Sequence, residues 1–189
     1  TVPEIRRQAL ITAEKFNDNS DILVSNVCRM VKDPDPTVLL QLALSLGEWD
    51  EPEAGKALAE IARIPDLDPY LQMAVMTSAE KHYDTLVQSF IDSGIIPGGT
   101  ILKTVLSMGL SSKSFLLDDL LLEVFSKIPT VGETQPLKLL HTWQNVLHEE
   151  GLTTDSLGTG PYAFLKTSGN SVRDFLKNVE QWTTNSTIP

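Results

Sequence analysis

The sequence predicts an all-α chain, a right-handed α-α superhelix of about five stacked helix pairs. Three observations predict it. An internal period of 33 residues runs through the N-terminal half. Apolar residues recur at helical spacing behind a proline. No alternating, strand-like pattern persists anywhere in the 189 residues.

The period can be followed position by position. Pro3, Pro36 and Pro69 are 33 apart, as are Ile5, Val38 and Leu71. Asp33 matches Asp66, and Asp35 matches Asp68. Val24, Ala57 and Phe90 keep the same step, and so do Val31 and Ile64. In Asp35-Pro36 and Asp68-Pro69 the carboxylate can accept from free amides at a helix start. The proline fills the first helical position, where its missing N–H costs nothing. Ile5, Ala9, Ala13 and Phe16 then form an apolar stripe, as do Val38, Leu42 and Leu46, and Leu71, Val75 and Ala79. Gly47 marks a helix stop. Pro52 opens a second helix, striped by Ala54, Ala57, Leu58 and Ile61. Each unit is therefore two short antiparallel helices, with the second helices near 20–32, 52–64 and 84–93. One pair cannot bury its own stripe, so neighbouring pairs must stack.

The plan loosens further along. Helices are expected over 100–109, after the Gly94, Pro97, Gly98, Gly99 break, and over 113–127 and 136–149, with a loop at 129–135. Residues 1–151 are thus read as helix-pair repeats and 152–160, small and polar, as a mobile connection. Residues 161–189 are read as a C-terminal helix to 183 and a fraying tail, packed on the same array.

Composition excludes several function classes. Aromatic residues make up only 6%, so Leu, Ala, Ile and Val carry the core. Formal net charge is −10, and residues 34–66 hold Asp35, Glu48, Asp50, Glu51, Glu53, Glu60 and Asp66 against Lys56 and Arg63. Phosphate backbones and anionic lipids repel such a surface, which argues against nucleic acid and membrane partners. No apolar run approaches the ~20 residues of a membrane span. The single cysteine, Cys28, rules out an internal disulfide. The chain opens Thr1-Val2-Pro3, inside a repeat-like motif, and reads as a monomeric segment of something longer.

The proline-opened helix, the Asp positions and the two-helix unit resemble HEAT repeats, closely over 3–93 and loosely beyond. The Thr-Pro-Leu-His signature of ankyrin repeats and the Trp/Gly/Tyr pattern of tetratricopeptide repeats are both missing. The stretch 33–62, DPDPTVLLQLALSLGEWDEPEAGKALAEIA, followed by Asp68-Pro69 and AVMTSA at 74–79, narrows the likeness. It resembles the HEAT segments of large heme-binding proteins of the membrane-bound dehydrogenase type, typical of planctomycetes and verrucomicrobia. In that family the helical part joins a β-propeller to a C-terminal c-type cytochrome. The resemblance implies an extracytoplasmic parent with heme c outside this segment, because Cys-x-x-Cys-His is absent here. It transfers no functional residue.

No constellation in the sequence points to chemistry, so no catalytic, cofactor-binding or metal-ligating residue is assigned. His82, His141 and His148 read as surface or helix-end histidines, and the lone His148-Glu149 pair cannot furnish a ligand set. Cys28 reads as a small apolar side chain with only Arg29 and Lys32 nearby to activate it. Asp118 and Asp119 point about 100° apart on a helix and read as solvated. Gly98-Gly99 lacks the Lys-Ser/Thr of a phosphate loop. Asn185-Ser186-Thr187 fits a glycosylation acceptor by accident. Trp143 and Trp182 fall in helical stripes and read as core.

The expected function is a non-catalytic interaction or spacer module, with neighbouring domains or another protein as partner. Solenoids of this family gather the second helices on their concave side, where Asn26, Lys56, Glu60 and Gln88 are the polar positions. Asp50 and Glu51 enter that side with Trp49, read either as a lid on the core or as an exposed anchor. The candidate interface is therefore Trp49, Asp50, Glu51, Lys56, Glu60 and Gln88. The alternative is an enzyme on such a scaffold, of the helical-repeat DNA glycosylase or bilin lyase kind. A glycosylase needs a basic cleft, which a net charge of −10 opposes.

Overall fold

Every proline-opened motif of the period becomes a helix. The structure is a computed structural model that describes residues 2–16, 21–126 and 134–174. Its helices are α1 (Pro3–Ala13), α2 (Asp21–Cys28, continued by a 3-10 turn Arg29–Lys32), α3 (Pro36–Leu46), α4 (Pro52–Ala62), α5 (Pro69–Ala79), α6 (Tyr83–Ser93), α7 (Gly99–Ser112), α8 (Leu116–Ser126), α9 (Thr134–Glu149) and α10 over 166–174. No strand occurs among the described residues. None of their helices is long and apolar enough to cross a membrane.

The helix starts follow local chemistry. Asp35 accepts from the amides of Thr37 and Val38 at 2.9 and 3.3 Å, and Asp68 accepts from Tyr70 N at 2.8 Å. The Thr37 hydroxyl also donates to Asp35 and is the main cause that holds this carboxyl below the usual range. Asp33 plays a different part: its two oxygens take Arg6 Nε at 2.6 Å and Nη2 at 2.8 Å, tying α1 to the entrance of α3. That bond lowers the Asp33 pKa and raises that of Arg6. Asp66, its match in the period, instead sits in a left-handed turn at φ 51°.

The chain divides into two compact units, Thr1–Val105 and Leu106–Pro189. The division falls inside α7, within the stretch 1–151 read from the sequence as one array. In the first unit α1 packs on α3 and α3 on α5, while α2 packs on α4 and α4 on α6. Helix α4 also meets α3 and α5, so first and second helices form two layers. Val38, Leu42, Leu46, Leu71, Val75 and Ala79 are all buried, as are Val24, Ala57 and Phe90. Ile5 departs from this pattern. Expected in the place of Val38 and Leu71, it is 58% exposed, because no described helix covers its side of α1.

Gly47 ends α3 in an ordinary right-handed conformation, φ −69°, so its turn does not require glycine. Close approach does. A Cβ there would lie 2.6 Å from Ser78 Oγ, which donates to Ala43 O at 2.7 Å and binds α5 to α3. Gly94, at φ 63°, does supply the left-handed cap of α6.

In the second unit α8 packs against α9 and against a 3-10 segment, Gly160–Leu165. Trp143, Leu165 and Val172 are fully buried there. The connection at 152–160 carries an anchor that its composition hides: Leu157 is buried, and Arg173 Nη1 donates to the carbonyls of Thr154 and Leu157. The last helix starts later than the sequence suggests, following the 3-10 segment and its kink at Tyr162. Trp182, residues 184–189 and most of the 129–135 loop lie outside the described residues, although Thr134 and Gln135 already belong to α9.

Candidate functional site

The candidate residues fall on two adjoining features, the second-helix layer and the α3–α4 turn. Lys56 and Glu60 are exposed on α4, Gln88 on α6 and Asn26 on α2. Because α4 packs between α2 and α6, all four share one layer. Glu53 on α4 and Asp84 and Asp92 on α6 are exposed as well, so the layer is predominantly acidic. Gln88 Nε2 donates to Asp92 Oδ1 at 2.8 Å, which fixes part of that surface.

The turn is partly neutralised from within. Lys81 Nζ lies 2.7 Å from Asp50 Oδ1 and donates to Glu48 O at 3.2 Å, so the end of α5 clamps the turn. The hydrogen bond from Lys81 holds the Asp50 carboxyl below the usual range. Glu51 precedes α4 half-buried, and its Oε2 is buried with no hydrogen-bond partner.

Of the two readings of Trp49, lid and exposed anchor, the structure takes the lid, which removes it from the candidate interface. Only 1% of it is accessible, which makes it a lid built into the core. The cause is positional. Trp49 lies 33 residues before His82, which is also buried and whose Nε2 sits 2.9 Å from Leu46 O. Both positions turn inward at the end of a first helix. His82 is thus a helix-end histidine but not a surface one, whereas His141 and His148 are exposed. Among the described residues no group of three or more His, Cys, Asp or Glu gathers as metal ligands would.

Asp118 is a second correction. It is half-buried, and its Oδ1 accepts from Ser168 N at 2.9 Å, so it caps α10 from 50 residues away while Asp119 stays exposed. Gly98 and Gly99 stand at the start of α7. Trp143 is core, as its stripe suggests.

Cys28 is half-buried on α2, and burial, aided by Glu53, Glu51 and Glu60, pushes its thiol up to about 11. Burial is the main cause that silences the cysteine, and the acids of the second-helix layer add to it. Against a free thiol of pKa about 8.5, the thiolate fraction at pH 8 falls roughly 200-fold, and higher basicity returns about tenfold. Iodoacetamide is thus expected to alkylate Cys28 on the order of tenfold more slowly at pH 8 than in the urea-unfolded chain. The folded rate should climb steadily to about pH 11. Equal rates in the two states would contradict this environment.

Two sets of matched positions escape the sequence reading. Thr12, Ser45 and Ser78 share the 33-residue step, as do Phe16, Trp49 and His82. The spacing was available, but the residue identities change along it, from Thr to Ser and from Phe to Trp to His. Comparison with protein-family models, curated proteins and solved structures yields no match to this chain.

Proposed function

We propose that the chain is a non-catalytic, HEAT-like interaction or spacer module, a right-handed solenoid of about five helix pairs. The observation that carries this reading is the packing of α1 to α6, first helix on first helix and second on second. Such stacks present long continuous faces, which suit docking better than they suit enclosing a substrate. The face proposed for docking is the acidic second-helix layer, taken as the concave side, with Asp50, Glu51, Lys56, Glu60 and Gln88 at the contact. Its partner is a neighbouring domain with a basic rim, steered by charge, and the contact weakens with salt. Trp49 supports the turn from inside and does not touch the partner.

The parent we propose is an extracytoplasmic, heme-binding, dehydrogenase-like protein. The resemblance at 33–79 supports it, and the heme c lies elsewhere in that parent. The coding sequence on either side of this segment tests the assignment. A Cys-x-x-Cys-His motif and a propeller segment are expected there, and absence of both overturns the parent while leaving the module reading in place.

A further inference from the structure

The outer face of α1 and of the 3-10 turn that follows it, Glu14–Phe16, bears four apolar or small positions that the rest of the period buries. Ile5 and Phe16 are 58% and 64% exposed, and Ala9 and Thr12 between them are exposed too. One period later Val38, Leu42, Ser45 and Trp49 are at most 1% exposed. Two periods later Leu71, Val75, Ser78 and His82 are at most 5% exposed. The chemistry of the positions is similar; what differs is the cover.

The direction of that cover can be read from the polar contacts. Ser78 Oγ donates to Ala43 O, and His82 Nε2 lies against Leu46 O, so these positions on and just beyond α5 face back onto α3. Ser45 Oγ donates to Glu14 at the end of α1, and Gln41 Nε2 donates to the same carboxylate at 3.2 Å, so α3 faces back onto α1. In both steps each first helix turns this face towards the first helix before it. On α1 the same face instead lines an open apolar groove with Ile5, Gln8, Ala9, Thr12, Phe16 and Leu23. Ile22, the residue before Leu23 on α2, is 76% exposed.

We infer that this groove seats a further helix pair of the longer parent polypeptide, continuing the 33-residue register ahead of Pro3. The occupant follows from continuity: the α1 face is the next member of a series whose other two members are α1–α3 and α3–α5 interfaces. Its first helix presents the edge that α1 offers to α3, small or apolar at the places of Leu10 and Ala13, with an acceptor at that of Glu14. The inference rests on the proposed reading only in taking the chain as part of a longer polypeptide. The heme-bearing parent plays no role in it, so either can fail without the other.

A tandem chain provides the test. A copy of residues 1–33 joined directly before Thr1 places its proline 33 residues ahead of Pro3 and leaves the new outer face chemically unchanged. Amide exchange of the original α1 should slow about tenfold or more relative to the unmodified chain, and Tm should rise. Ala9→Arg in the original α1 should leave the unmodified chain's Tm unchanged, because the position is exposed, yet abolish both gains in the tandem chain. Unchanged exchange of α1 in a tandem chain whose copy is itself helical overturns the inference. So does a concentration-dependent dimer of the unmodified chain that Ala9→Arg dissociates, since the occupant is then a second copy.

Discussion

Replacing Leu42 with aspartate is expected to abolish cooperative folding of the first unit. Leu42 lies in the middle of α3, fully buried between the helices that α3 touches on either side. An isolated carboxylate there costs many kcal/mol, or several after it takes up a proton, and the leucine's packing is lost as well. Domains of this size hold only about 5–15 kcal/mol in reserve. Far-UV circular dichroism during urea titration should show no sigmoidal transition for residues 1–105, and amide protection should vanish from α3, α4 and α5 together. A variant that melts like the unsubstituted chain would mean that the helix phasing is wrong.

Trp49→Ala should give the second-largest loss, about 3–5 kcal/mol, as expected for a fully buried large aromatic. The indole Nε1 has no hydrogen-bond partner, so the loss comes from packing alone. Phe16→Ala, at the matching position one period earlier, should change stability by no more than about 0.5 kcal/mol because that ring is mostly exposed. Urea midpoints of the two variants, compared at constant slope, measure the difference. Equal losses would place the two aromatics in like surroundings and remove the asymmetry between α1 and α3.

This contrast shows what the sequence could and could not disclose. Helix starts were legible because their causes are local: Asp35 and Asp68 reach amides two or three residues on, and proline sets its own backbone. The helical stripe was legible too, since Val38, Leu42 and Leu46 must share a face. Burial of a given member was not, because it depends on which neighbour covers the face. Ile5 and Val38 look alike in the period, yet one is exposed and the other has no accessible surface. Asp118 was hidden for a related reason, because its partner amide is 50 residues away in a segment whose register does not repeat. For Trp49 the sequence left a lid and an anchor open, because acids flank it; Asp50 is exposed, but Glu51 is half-buried and the ring itself is buried. For the candidate interface, the sequence identified exposed polar positions on the second helices. It could not show that Lys81 already satisfies Asp50.

The proposed function turns on docking of a neighbouring domain by the acidic second-helix layer. Carbodiimide crosslinking of the full-length parent, at about 0.05 and about 0.5 M salt, tests it most directly, since the screening length shrinks roughly threefold between the two. At low salt, Asp50 and Glu60 should link to lysines of another domain, and those links should fade at high salt while the internal Asp50–Lys81 link persists. Links confined at both salt concentrations to lysines within this segment, such as Lys56 and Lys81, would contradict that docking.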